Sequence, residues 1–252
     1  MPFDVTPEIS THTTRQHTDC LVCPVQGCLG RSNGESFSGW TDTLGPRQAV
    51  MPGSAPLFRA GERPMAIYSV RGGCLKTATV DADGNEHIRG FYLPGDIIGL
   101  DALGMSRHLS TATAVIPSQV CVAPLHELRR SLDRDPMLAQ RLLERSGQQL
   151  AMALAISGNF TAEQRIAAFL IYMQQRLPTP SGALRLPMPQ RDIGSYLRLA
   201  TETVCRTLKG FAQKGWVATG NDRALRIIAR DRLLELAEPV GLDVPAPMQR
   251  AA

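Results

Sequence analysis

The hydrophobic rhythm of this 252-residue chain changes at Pro124, and that change narrows the folds open to it. Upstream, from Ala55 to Ala123, short β-prone runs alternate with turn residues: Ala66-Ile67-Tyr68-Ser69-Val70, then Gly72-Gly73, Leu75 to Val80, and Asp81-Ala82-Asp83-Gly84. His87 to Leu93, Pro94-Gly95 and Val115 to Val122 continue the series, which is the spacing of a β-sandwich or β-roll. Downstream, turn residues thin out and Leu125 to about Ser157 reads as one helix, with Leu128, Leu132, Leu138, Leu142, Leu143, Leu150 and Leu154 recurring at helical spacings. Such a stripe covers either the helix's own β-domain or a second copy of the chain, and periodicity alone does not choose between them. The implied fold class is α+β, with 43% hydrophobic residues enough for two modest domains.

No apolar run approaches the ~18 residues of a membrane span, and the start MPFDVTPEIS lacks a charged region followed by an apolar one. The expected location is the cytoplasm. In that compartment the six cysteines point to metal or redox chemistry rather than to disulfides. Residues 1 to about 50, polar and rich in Thr, Ser and Gly, cannot fold on burial alone and are expected to be a flexible segment carrying a tight cysteine group.

The net charge of +4 is unevenly spread: residues 161 to 230 hold eleven Lys and Arg against four Asp and Glu. A basic module of this kind favours a phosphate backbone, although a solvated charged face would look similar. Within it, Thr161-Ala162-Glu163-Gln164 has the form of a capping box, starting a helix that runs to about Arg176. The prolines and glycine of 177–182 make a loop. Pro189 to Leu197 and Thr201 to Gln213 then form two short helical patterns around the tight connection Arg198-Leu199-Ala200, a helix-turn-helix pattern.

Ile193, Leu197, Val204, Leu208 and Phe211 would lock these two helices together, leaving Thr201, Glu202, Cys205, Arg206 and Lys209 on the outer face of the second. Arginine can bond guanine O6 and N7 together, and a carboxylate can accept from cytosine N4, so Arg206 and Glu202 one turn apart can read adjacent base pairs in double-stranded DNA. The Cys205 thiol would sit against a thymine methyl. Gly215 to Thr219, the turn Gly220-Asn221-Asp222, and Ala224 to Ile228 make a hairpin wing whose Arg223 and Arg226 are placed for phosphates. An isolated Glu-x-x-x-Arg is ordinarily a surface ion pair; the preceding helix, the wing and the basic excess argue here for a reading head.

These residues resemble the CRP/FNR family of transcription regulators, and within it the oxygen-responsive fumarate and nitrate reductase regulators. The resemblance covers nearly the whole chain. It rests on Gly90-Phe91-Tyr92-Leu93-Pro94-Gly95-Asp96-Ile97-Ile98-Gly99-Leu100-Asp101-Ala102, on Ala162 to Phe169, on Arg191-Asp192-Ile193-Gly194-Ser195-Tyr196-Leu197, and on Thr201-Glu202-Thr203-Val204-Cys205-Arg206. It implies a homodimer with an amino-terminal β-roll like that of cyclic nucleotide-binding domains, a long dimerisation helix and a carboxy-terminal winged helix-turn-helix. The corresponding boundaries are 1–50 for the flexible segment, 51–124 for the roll, 125–160 for the dimerisation helix, 161–238 for the reading head and 239–252 for a tail. It also implies a TTGAT-type half-site repeated as an inverted pair. Cys205 stands where the FNR-like pattern has serine. Contact with RNA polymerase is implied through the loops Asp81 to Asn85 and Thr179 to Ala183.

Cys20, Cys23 and Cys28 have C-x2-C-x4-C spacing. The resemblance adds Cys121 as a fourth ligand, and four thiolates hold a [4Fe-4S] cluster. They also suit structural zinc, which local spacing does not exclude and which stands as the alternative. The middle spacing of four, with Pro24 after Cys23, departs from the five of FNR-like relatives. Ligation would draw the amino-terminal segment onto the roll–helix junction, and metal loss would free it. Cys74, inside a strand pattern, reads as a buried small hydrophobe. Leu150 appears where FNR-like regulators commonly carry an aspartate, so this chain is expected to dimerise more readily without metal. A cyclic nucleotide needs an arginine for its phosphate, whereas His108-Leu109-Ser110-Thr111-Ala112-Thr113 supplies hydroxyls and no arginine. None of the five histidines forms H-E-x-x-H, and no G-x-S-x-G or P-loop pattern is present, so an enzyme is not expected.

Overall fold

The computed structural model describes residues 31–32, 35–36, 47–177, 183–220 and 224–241. Strands β1 (Arg47–Val50), β2 (Ala66–Val80), β3 (Glu86–Tyr92), β4 (Ile97–Ile98) and β5 (Thr111–Pro124) form one antiparallel sheet in the order β1-β5-β2-β3, with β4 against β2. With the long strands β2 and β5 paired at its centre, this sheet is the expected roll. Its interior holds Val50, Leu57, Phe58, Val70, Leu75, Ile98 and Val120.

Two expectations about this half are corrected. The stretch 1–50, expected to be flexible, contains paired strands: Arg31–Ser32 pairs with Glu35–Ser36, and Arg47–Val50 pairs with Ser118–Cys121 and buries Val50. Only Val50 of the four faces the core, so the order comes from ladder hydrogen bonds that composition does not reveal. The pair Gly72-Gly73 is not a turn: β2 runs through it, with the ladder to β5 slipping register there. Gly73 has φ +85°, and a Cβ on it would lie 2.3 Å from Ser118 Oγ, so the glycines serve a bulge and a close strand approach.

The predicted single helix is two. Helix α1 (Leu125–Arg134) ends before Asp135, and α2 (Pro136–Ser157) begins after it, with the Asp135 carboxylate accepting from the amides of Met137 and Leu138 and Pro136 in the first turn. An aspartate cap followed by proline is a strong start signal, and it overrides the leucine periodicity that runs across it. The break also divides the stripe. Leu125, Leu128, Leu138 and Leu142 pack on Ile67, Ile97 and Ala123 of the roll, whereas Leu143, Leu150 and Leu154 are 72%, 61% and 63% exposed.

Helix α3 (Ala162–Arg176) starts with the expected capping box: Thr161 Oγ1 accepts from Gln164 N at 3.2 Å, and Gln164 Oε1 accepts from Thr161 N at 2.9 Å. Then follow β6 (Ala183–Arg185), α4 (Gln190–Leu197), α5 (Thr201–Gln213), β7 (Val217–Thr219), β8 (Ala224–Ile227) and α6 (Arg230–Ala237). The wing is a three-stranded sheet, β6-β8-β7, with one strand more than the hairpin expected. The chain past 238 begins inside a 3-10 turn, Glu238–Val240, whose Val240 is buried, so the reading head extends into the expected tail.

Roll and reading head share one apolar core. Cys74, Ala78, Ile88, Phe91 and Leu93 of the roll lie in the same cluster as Ile166, Phe169, Leu170, Ile193 and Phe211. Tyr196 of α4 sits between Phe91 at 5.2 Å and Phe169 at 6.1 Å. Lys76 Nζ reaches Glu86 at 2.7 Å and Asp192 of α4 at 3.0 Å, with Asp192 only 4% exposed. The Ser195 hydroxyl accepts from Ile88 N and donates to Glu86 O, both at 3.0 Å.

Candidate DNA-reading face and sensor site

The two helices of the reading head are set by a short turn. Leu199 N donates to Gly194 O at 2.8 Å, and a Cβ on Gly194 would meet Leu199 O at 2.8 Å, so this position requires the bare backbone. Val204, Leu208 and Phe211 of α5 pack inward with Ile193 and Leu197 of α4, as the sequence predicts. That packing turns Thr201, Glu202, Arg206 and Lys209 to solvent, with Cys205 half-buried at the edge of the face.

Glu202 and Arg206 pair with one another across one turn, Oε1 to Nη2 at 2.5 Å, with side chains 79% and 73% exposed. An exposed i,i+4 pair contributes only about 0.3–0.5 kcal/mol, so both groups can exchange it for base edges at little expense. Glu202 lies in the first turn of α5, where a carboxylate complements the amino-terminal dipole. The Cys205 thiol donates to Gln190 Oε1 at 2.6 Å, a link between the first residue of α4 and the reading face that sequence reasoning missed. Arg226 on β8 is exposed; Arg223 lies outside the described residues.

The four cysteines expected to act as ligands are divided. Cys20, Cys23 and Cys28 lie outside the described residues. Cys121 is buried near the end of β5 and pairs in register with Arg47, so the chain entering β1 starts beside it. Among the described residues no three His, Cys, Asp or Glu come together to hold a metal, so ligation at Cys121 requires partners from elsewhere. Cys74 is fully buried; burial pushes its thiol up to about 12, with Asp96 and Asp192 adding to the effect. It is a core residue, as its strand pattern predicts.

Asp101 accepts from Leu109 N at 3.1 Å and lies 3.3 Å from Nδ1 of His108, which is buried and stacked on Phe58 at 3.7 Å. Arg107 turns away, donating to Gly61 O at 2.7 Å.

The loop Asp81–Asn85 joins β2 to β3 and is closed by hydrogen bonds to its first residue. The Asp81 carboxylate takes hydrogen bonds from the amides of Asp83 and Asn85 and from the side chains of Asn85 and His87. The His87 bond first, then those of Asn85, hold its carboxyl down at about 2. Of the second implied polymerase loop, 179–182 lie outside the described residues.

A roll joined through two helices to a winged helix-turn-helix defines a DNA-binding transcription regulator. Residues 164–236 match the family described as Crp-like helix-turn-helix domain, and residues 49–135 match the cyclic nucleotide-binding domain. The chain is 40% identical over 177 residues to the transcriptional regulatory protein btr of Bordetella pertussis, covering 68% of this chain and 73% of that one. It is 32% identical over 227 residues to the fumarate and nitrate reduction regulatory protein of Escherichia coli K12, covering 86% and 90%. Among solved structures, FixK2 from Bradyrhizobium japonicum superposes with a TM-score of 0.70 at 29% identity, covering 76% of this chain and 96% of that one. The chain belongs to the CRP/FNR family of transcription regulators. The family consists of regulators and not enzymes, and the cyclic nucleotide-binding domain is present here as a fold. No described helix is long and apolar enough to cross a membrane.

Proposed function

We propose that this regulator works in the cytoplasm as a homodimer on an inverted repeat of a TTGAT-type half-site, and that Cys20, Cys23, Cys28 and Cys121 hold a [4Fe-4S] cluster that makes it oxygen-responsive. The observation that carries the reading is the solvent-facing Glu202–Arg206 pair at the start of α5, held at the tip of a basic module. A guanidinium and a carboxylate at that spacing match guanine and cytosine edges on neighbouring base pairs, with Thr201 and Cys205 beside them.

The sensor reading is supported by the register of Arg47 with Cys121, which starts the amino-terminal chain next to the described thiol, and by the resemblance to fumarate and nitrate reduction regulators. When bound, the cluster supplies a thiolate-held, oxygen-labile crosslink. The chain's part is to bring the amino-terminal trio to Cys121, just upstream of α1, and so tie that segment to the roll–helix junction. The exposed Leu143, Leu150 and Leu154 on α2 fit the seam of a second copy. The hydrogen-bonded loop Asp81–Asn85 is the proposed contact for RNA polymerase.

The test is purification without air, followed by visible absorbance, iron analysis and footprinting. Broad absorbance with about four irons per chain, lost on exposure to air together with protection of the inverted repeat, is the expected result. A colourless protein holding stoichiometric zinc overturns the cluster, and no preference for the repeat over random DNA overturns the operator.

A further inference from the structure

We infer that Arg198, in the turn between α4 and α5, is a phosphate contact at the edge of the half-site; the inference rests on the operator reading above. Arg198 adopts φ 55° and ψ 45°, and among the described residues it is the one non-glycine with positive φ. This left-handed region crowds the Cβ of any L-residue and suits glycine. The turn does not need the side chain to close, since its bonds are made by main-chain atoms: Arg198 N to Ser195 O at 3.3 Å and Leu199 N to Gly194 O at 2.8 Å. A glycine would make both bonds with less crowding.

The side chain is exposed, and among the described residues its guanidinium has neither a hydrogen bond nor a carboxylate partner. Its neighbours are occupied. Arg206 pairs with Glu202, Arg191 lies 3.5 Å from Asp192, and Arg165 donates to the carbonyls of Leu197 and Gly158. Arg198 is therefore a free cation on a long stem, three residues before Thr201. A recognition helix enters the major groove by its amino-terminal residues, which sets the preceding turn against the phosphates lining the groove. An unpaired guanidinium there meets an anion it can fork onto. The other use for a cation at this place is the carboxy-terminal dipole of α4, and that use would affect stability alone.

The experiment measures anaerobic fluorescence anisotropy of the full chain on a duplex carrying the TTGAT inverted repeat and on a scrambled duplex, over a range of salt. Arg198→Gly is expected to weaken binding to both duplexes by a similar factor, about 5–10-fold at physiological salt, and to shrink the slope of log affinity against log salt by about 0.9 per subunit. Arg198→Lys is expected to keep the slope, and the melting temperature of the glycine variant is expected not to fall. Unchanged affinity and slope in Arg198→Gly overturn the inference. So does a loss confined to the repeat, which would mean a base contact, or a lower melting temperature accompanying the loss, which would mean a structural role. If the unaltered protein shows no preference for the repeat, it is the operator reading that fails.

Discussion

At the scale of single residues, the reading face is defined by what it does before DNA arrives. Glu202 and Arg206 satisfy each other in water. Truncating either leaves the other free, and the two variants should therefore differ in kind. Arg206→Ala is expected to weaken binding to the inverted repeat by about 1–3 kcal/mol and to relax the choice at one base pair, measured by competition with single-base variants of the site. Equal weakening on every sequence would show that Arg206 touches only phosphate. The positions on this face were legible in the sequence because Val204, Leu208 and Phe211 fix the inward side of α5, leaving no freedom about which residues face out. Cys205's bond to Gln190 was not legible, since it joins two helices whose relative placement depends on the turn. Nor was the left-handed backbone of Arg198, because nothing in an arginine's chemistry announces positive φ.

Among the elements, α2 shows how one leucine pattern serves two surfaces. Leu138 and Leu142 are buried on the roll, and Leu143, Leu150 and Leu154 face outward. Seven- and four-residue steps on that outer face, with no acidic residue between Glu144 and Glu163, make an apolar stripe that fits the proposed pairing of two copies. Leu150→Asp is expected to convert a metal-free dimer to monomer at micromolar concentration in sedimentation, since each fully buried leucine contributes about 1.5–3 kcal/mol and a buried unpaired carboxylate opposes association further. A strictly monomeric unaltered apo-protein would refute the seam. The existence of the helical region was readable from periodicity; its division at Asp135 was readable from capping chemistry and was outweighed by the leucines. Strand β1 and the strand β6 of the wing were hidden for another reason: they are short edge strands, ordered by ladder bonds rather than by an apolar pattern.

For the whole molecule, the decisive contact is between roll and reading head. Lys76 lies between Glu86 and the buried Asp192, and removal of its charge leaves Asp192 only the long 3.5 Å contact with the exposed Arg191. Lys76→Met is expected to lower unfolding stability by about 3 kcal/mol in urea titration, and the double change Lys76→Met, Asp192→Leu to recover most of it. A single variant as stable as the unaltered chain would show that water reaches this site freely. No sequence pattern foretold this interface, because Lys76 and Asp192 are far apart along the chain and each sits in a segment that reads correctly by itself. The shared core has a practical corollary for anyone dissecting the protein. A fragment starting at Thr161 would keep both helices of the motif yet lose Phe91 from its contacts with Phe169 and Tyr196, baring an aromatic surface to solvent. The DNA-binding half is thus not a detachable bead; it is a lodger whose back wall belongs to the roll.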